Sequence, residues 1–219
     1  MSVILLGAPG SGKGTQANHI VNTCNLQKIA TGDLLRAEIA KKSELGTKIQ
    51  DSVESGALVS DEIMTTLVDH QFDSGSYDGG AIFDGFPRTI TQAEVLDKIL
   101  TRRGQKIDVV IELEVKKTSL VDRLSNRYYC KQCNVGYNKL FKNPKQDGIC
   151  DICQGSEFAI RKDDEAQIIK KRFHEYKKQT GLLLPYYEVK GLVNKVNGED
   201  DIKVVSKNID LIMKQMIAY

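Results

Sequence analysis

The chain has 219 residues, 41% of them hydrophobic, and its 31 basic and 29 acidic residues leave a net charge of +2. That length fits one large domain or one core with excursions, and near-balanced charge argues against wholesale nucleic-acid binding, though not against a local basic site. No window reaches the ~18 apolar residues of a membrane span, and Met1 to Gly7 lacks the charged and long apolar regions of a signal peptide, so a soluble cytoplasmic protein is expected.

The first element is the apolar run Val3-Ile4-Leu5-Leu6, read as a buried strand. It runs into Gly7-Ala8-Pro9-Gly10-Ser11-Gly12-Lys13-Gly14-Thr15, and an amphipathic helix is predicted over residues 13–24. A glycine-rich loop between strand and helix lets backbone N–H groups surround phosphate oxygens at a helix N-terminus. Lys13 would bridge the terminal phosphates. The spacing Gly-x4-Gly-Lys is that of a P-loop, but Gly14 stands where the motif has Ser or Thr, and Thr15 comes one residue late. Without a hydroxyl directly after the lysine, Mg²⁺ would be held mainly by phosphates, water and a carboxylate elsewhere. The competing reading, a glycine-rich turn without chemistry, leaves the strand–loop–helix context unused.

Further strands are predicted at residues 28–30, 81–83, 109–111 and 192–196, and helices at 61–72, 91–103 and 206–217. Strands alternating with helices predict an α/β fold, a parallel sheet with helices on both faces, binding ligands at the carboxyl ends of the strands. Asp84 ends the third strand and is the candidate carboxylate for Mg²⁺; it can equally cap the Gly85-Phe86-Pro87 turn. Two stretches break the alternation. Residues 31–59 are helical with modest apolar content, and residues 128–163 are rich in Gly, Asn, Lys and Cys; neither is expected to have a large core of its own.

In the second stretch, Cys130-x2-Cys133-x16-Cys150-x2-Cys153 has the spacing of paired zinc knuckles. Four thiolates close a tetrahedral site, so the metal would be structural. Gly136, Gly148 and Gly155 are expected to make the tight turns beside the ligands. Two disulfides are the alternative, which a reducing cytosol disfavours. Cys24 is left over, read as a buried inert thiol.

Arg123 and Arg127 are predicted on one helix over residues 118–127, sharing a face where a phosphate between them would offset their repulsion. Arg161 precedes Asp163-Asp164, read as a helix start, and Arg172 lies near that helix's apolar seam. With Arg88 beside Asp84, Lys13 and these arginines fall at strand ends or at the edges of the cysteine stretch. Phosphoryl transfer asks little of side chains beyond positioning and cationic charge over the moving group.

Together the P-loop, Thr31-Gly32-Asp33-Leu34-Leu35-Arg36, Asp84-Gly85-Phe86-Pro87-Arg88-Thr89 with Gln92, the four cysteines, Arg161-Lys162-Asp163-Asp164 and Arg172 resemble the adenylate kinase family, in its bacterial form with a long zinc-binding lid. The resemblance covers essentially the whole chain, and the glycine after the P-loop lysine is part of it. It implies a P-loop NTPase-type core of residues 1–29, 60–125 and 164–219, an AMP-binding excursion of residues 30–59 and a zinc-binding lid of residues 126–163. It implies reversible transfer, ATP + AMP to 2 ADP, with Mg²⁺ accompanying ATP and structural Zn²⁺ on the cysteines. Partners would be the small nucleotides alone, with no nucleic acid or membrane, and the enzyme a monomer. The resemblance assigns catalysis to Lys13, Asp84, Arg88, Arg127, Arg161 and Arg172. It assigns ATP to Gly10, Ser11, Gly12, Lys13, Gly14 and Thr15, with Arg123, Arg127, Gly136, Tyr137, Gly198 and Glu199 toward the lid. AMP falls to Thr31, Arg36, residues Ala57, Leu58 and Val59, Gly85, Phe86, Pro87, Arg88, Gln92, Arg161 and Arg172.

Asn126-Arg127-Tyr128 departs from the glycine and arginine pair expected before the first lid cysteine. A kinase for UMP or CMP is the nearest rival, since a glutamine amide such as that of Gln92 serves several bases. A zinc-ribbon nucleic-acid binder would use Lys131, Lys139, Lys142 and Lys145 but leaves the P-loop and arginines unexplained.

Overall fold

The computed structural model describes residues 1–75, 77 and 79–217. Five parallel strands form the central sheet: β1 (Ser2–Leu6), β2 (Gln27–Ala30), β3 (Ala81–Asp84), β4 (Ile107–Glu114) and β8 (Val193–Asn197), in the spatial order β2-β3-β1-β4-β8. The chain leaves β1 for the edge, returns through β3, then crosses β1 to reach β4. Sequence reversal of this kind opens a crevice at the carboxyl end of the sheet, and the glycine-rich loop follows β1 there. Register places Asp84 beside both Leu5 and Ala30, so its carboxylate stands at that same end.

Strand period decides the layering. In β1, Ile4 and Leu6 face one core cluster, whereas Val3 and Leu5 face the other. The second cluster is covered by α1 (Lys13–Cys24) through Ala17 and Ile20, and by α9 (Ile202–Ile217) through Val205, Ile209 and Met213, spaced one helical turn apart. The first is covered by α4 (Asp61–Ser74), α5 (Ile90–Thr101) and α8 (Leu183–Val189), with Val68, Leu96 and Tyr187 fully buried. Helix α9 begins four residues before the predicted start. Its true beginning is marked by Asp201, whose Oδ1 accepts the Lys203 N–H at 2.9 Å.

The first excursion folds as α2 (Thr31–Ala40) and α3 (Glu44–Glu54). Ser43 caps α3 by accepting the Gly46 N–H at 2.8 Å. A Cβ on Gly46 would lie 2.3 Å from the Glu38 carbonyl oxygen, so glycine there lets the two helices close up. Leu35, Ile49 and Val59 join the first core cluster, so this excursion shares the main core. Its apolar positions are too few to mark that docking in the sequence.

The second excursion follows α6 (Lys117–Ser125) and is a three-stranded antiparallel sheet of β5 (Arg127–Cys130), β6 (Gly136–Asn138) and β7 (Phe158–Ala159), with β5 in the middle. Its apolar interior is a small cluster of Tyr128, Val135, Tyr137, Phe158 and the cysteines. Here the structure corrects the expectation that Arg123 and Arg127 share a helix. Asn126 ends α6, with both its N–H and its Nδ2 donating to Asp122 O, and Arg127 opens β5 opposite Asn138. Pairing within the lid sheet wins over one more helical turn. The segment after Arg161 is likewise a short 3₁₀ turn over Lys162–Asp164, and α7 (Ala166–Lys178) starts two residues later. No helix among the described residues is long and apolar enough to cross a membrane.

Candidate active site

The crevice is a cleft of about 550 Å³, within the range of nucleotide-sized pockets. Its floor is the glycine-rich loop. Gly10 and Gly12 have φ of +85° and +100°, which exclude side chains, and a Cβ on Gly12 would meet nothing, so that face of the loop is open. The Lys13 ammonium donates to the Gly7 and Ala8 carbonyls at 2.7 and 3.0 Å, folding back over the loop. Burial, outweighing the attraction of Asp84 and helped by Arg88, pulls Lys13 down to about 8. A Cβ on Gly14 would lie 3.3 Å from Asp84 Oδ2, so the carboxylate stands close beside the first turn of α1.

The walls bring the arginines together from separate elements. Arg127 (β5) grips Asp164 with two hydrogen bonds of 2.7 and 2.6 Å, and Arg172 (α7) reaches the same carboxylate at 3.1 Å and Asp163 at 3.0 Å. Asp164 has no exposed side-chain surface and so acts as a fixed anchor. Burial raises Asp163 but Arg172 and Arg127 outweigh it, so its carboxyl stays below the ordinary range. Arg88 and Arg161 have no carboxylate within ion-pair distance among the described residues, and burial pulls both down to about 10, with neighbouring arginines adding to it. Arg36 is held by Asp33 at 2.6 Å. Half-buried cations without carboxylate partners leave the cleft with a deficit of anions, which phosphates would fill.

At the far end, Arg123 donates to Gly198 O at 2.7 Å and lies over the Phe141 ring, 5.9 Å from its centroid. Glu199 accepts from Lys116 N–H and Ser119 Oγ, tying the loop before α9 to the start of α6. All the residues expected on the ATP side and all six expected in catalysis line this one cleft. On the AMP side, Arg36, Ala57, Leu58, Gly85, Pro87, Arg88, Arg161 and Arg172 line it. Thr31, Val59, Phe86 and Gln92 stand behind its wall, Gln92 being 1% exposed. The sequence reading missed Phe141, Asp200 and Asp201, which also line the cleft. Nothing in their spacing singles them out; only the fold brings them to the cleft, with Phe141 against Arg123.

The four cysteine sulfurs lie within 4.8 Å of one another, with Cys130–Cys153 and Cys133–Cys150 at 3.5 Å. Four thiolates on one Zn²⁺ at ~2.3 Å stand about 3.8 Å apart, so the donor set fits a metal. The knuckle turns correct the glycine expectation. Asn134 and Gln154 adopt the left-handed conformation, φ 58° and 61°, and their N–H groups return to the Cys130 and Cys150 carbonyls. Gly148 is also left-handed, whereas Gly136 is a strand residue. Tyr137 Oη donates to Cys150 Sγ at 3.4 Å, supporting the cluster from behind. Lys131 is paired with Glu157, and Lys142 donates to Gly136 O, so two of the lysines a nucleic-acid ribbon would use are engaged within the lid.

A family model for adenylate kinase matches residues 5–192. The chain belongs to the adenylate kinase family. It is 46% identical over 213 residues to an adenylate kinase of Rhizorhabdus wittichii, covering 97% of this chain and 99% of that one. It is 44% identical to one of Paramagnetospirillum magneticum, over 97% and 98% of the two chains. With one of Caldicellulosiruptor bescii it shares 41% identity, over 95% and 97%. It is therefore a phosphotransferase, a nucleoside monophosphate kinase carrying out ATP + AMP to 2 ADP. The UMP, CMP and zinc-ribbon readings fall away.

In an adenylate kinase this lowering of Lys13 should make ATP binding pH-dependent. With no ligand the lysine is largely neutral above about pH 8. Bound phosphates favour the ammonium and raise its pKa. ATP binding should therefore take up protons at pH 9 but not at pH 7, where Lys13 is charged in both states, and ATP affinity should fall as pH rises above about 8. The terminal phosphate of ATP, with a second pKa near ~6, does not titrate in this window. Calorimetric titrations in buffers of different ionisation heat read the uptake directly. Equal uptake at both pH values would exclude this account.

Proposed function

We propose that the cleft is divided between two nucleotides, ATP on the glycine-rich loop and AMP against residues 30–59. Lys13, Arg88, Arg127, Arg161 and Arg172 would enclose the phosphoryl group between them. The observation that carries this reading is the convergence of one lysine and these four arginines, from separate loops, β5 and α7, on a single cleft. Cations fixed before the reaction begins stabilise charge on a transferring phosphoryl without reorganisation cost. Lys13 and the N–H groups of residues 10–15 would hold the ATP phosphates, with the adenine near Arg123, Gly136, Tyr137, Gly198 and Glu199. Arg36 would meet the AMP phosphate, and the backbone of residues 57–59, Thr31, Gly85, Phe86 and Pro87 would surround its base. Gln92 would read that base once a shift of residues 30–59 uncovers it.

Mg²⁺ would arrive with ATP, with Asp84 as the nearest carboxylate to the loop. Cys130, Cys133, Cys150 and Cys153 would hold a structural Zn²⁺, whose chemistry there is to order the lid and not to react. Residues 1–29, 60–125 and 164–219 would form the core, with residues 30–59 and 126–163 closing over AMP and ATP to expel water. The enzyme would act as a cytoplasmic monomer.

The division is tested by paired substitutions. Arg36→Ala should raise KM for AMP about 10-fold or more and leave KM for ATP within about twofold, since it removes a charge-assisted bond to one substrate. Arg123→Ala should do the reverse. Equal effects of either variant on both substrates would sink the assignment.

A further inference from the structure

Behind the AMP end of the cleft, Asp61, Thr89 and Gln92 close a ring of hydrogen bonds. Gln92 Oε1 accepts the Arg88 N–H at 2.8 Å, and Gln92 Nε2 donates to Asp61 Oδ1 at 2.7 Å. Asp61 Oδ2 accepts from Thr89 Oγ1 at 2.9 Å, and Thr89 Oγ1 accepts the Gln92 N–H at 3.1 Å, capping α5. Asp61 opens α4 and Gln92 lies in the first turn of α5, so two packed helices hold the ring.

The partners fix which way the Gln92 amide points, whatever the placement of its nitrogen and oxygen. A carboxylate only accepts and a backbone N–H only donates. Turning the amide over would set Oε1 against the Asp61 carboxylate and Nε2 against the Arg88 N–H. At 1% exposure, water is not at hand to relieve either mismatch. In the observed orientation each end of the amide keeps one unused bond, an N–H on Nε2 and a lone pair on Oε1. That pair complements the edge of adenine, where the 6-amino group donates and N1 accepts. A 6-oxopurine has the inverse edge, with O6 accepting and N1–H donating, and fits only the reversed amide.

We propose that Asp61 is a specificity-determining residue: by fixing the Gln92 amide in one orientation, it makes the acceptor site take adenine and refuse 6-oxopurine monophosphates of the same size. Asp61 touches Gln92 and not the nucleotide, so it is a positioning residue. The inference rests on the reading, given above, that Gln92 meets the AMP base.

The experiment measures kcat/KM for AMP and for IMP at saturating ATP in the full-length wild type, Asp61→Asn and Gln92→Ala. IMP differs from AMP at this edge without added bulk. An asparagine at position 61 can turn its own amide to meet a reversed Gln92, removing one of the two mismatches. The AMP-to-IMP ratio in Asp61→Asn should therefore fall about 10-fold, with KM for ATP within about twofold of wild type. Both rates come from one sample, so any loss of folded protein cancels from the ratio. Gln92→Ala should also lower the ratio. If it does and Asp61→Asn stays within about twofold of wild type, the proposal for Asp61 is overturned while the reading of Gln92 stands. If Gln92→Ala leaves the ratio unchanged, the reading of Gln92 fails and the proposal with it.

Discussion

Replacing Arg88 by alanine should lower kcat about 10³-fold while the protein stays folded, the scale expected when one preorganised donor to a phosphoryl transition state is removed. Arg88 Nε donates to Gly85 O at 2.9 Å, which aims the guanidinium from the turn after β3. It carries no carboxylate partner among the described residues, and burial with Arg172 as neighbour already strains its charge, lowering it to about 10. A cation in that condition gains more from a phosphate than one already neutralised, as Arg36 is by Asp33. The gain grows as negative charge spreads over the equatorial oxygens, so the loss should fall mainly on kcat and less on KM. Arg88→Lys should recover only part of the rate, because an ammonium lacks the planar fork that spans two oxygens. Lys13→Ala should cost as much and weaken ATP binding as well, since its ammonium lies over the loop itself. An Arg88→Ala enzyme within tenfold of wild type would remove Arg88 from the chemistry.

Stripping the metal from the lid should lower the melting temperature by about 10 °C, roughly 3–4 kcal/mol for a protein of this length. The lid's interior is three aromatic rings, Val135 and the cysteines, with ring centroids 5.6 to 5.7 Å apart. Around it Leu140, Ile152 and Ile160 are 62, 70 and 60% exposed and contribute little burial. A unit that small does not offset its own ordering entropy without a cross-link. The loss should be local. Hydrogen exchange should accelerate in residues 126–163, while β1, β3 and β4 keep their protection. Cys130→Ser should reproduce the effect, and elemental analysis should find one zinc per chain before treatment and none after. An apo protein with an unchanged melting temperature and unchanged exchange in the lid would exclude a structural metal.

Much of this protein is written locally. The glycine-rich loop, the strands around it and the C-x2-C pairs depend on neighbours within a few residues, so spacing alone reports them. The departure at Gly14 is visible too, but not its neighbour: Asp84, seventy residues on, is brought beside it by the pairing of β1 and β3. Local pattern misleads where a distant partner chooses between two local options. Arg127 could extend α6, but Asn138 pairs it into the lid sheet. Residues 31–59 look short of apolar contacts until Leu35 and Ile49 meet the main core.

The sequence by itself thus determined the α/β class, the phosphate loop, the metal knuckles and the set of cations, because each is a short-range pattern of backbone and side-chain chemistry. Only the tertiary structure decided which cations stand unpaired, which glycines yield to a neighbour, and that Gln92 is fixed between Asp61 and Arg88. Those depend on contacts between elements far apart in the chain, whose partners no spacing rule can name.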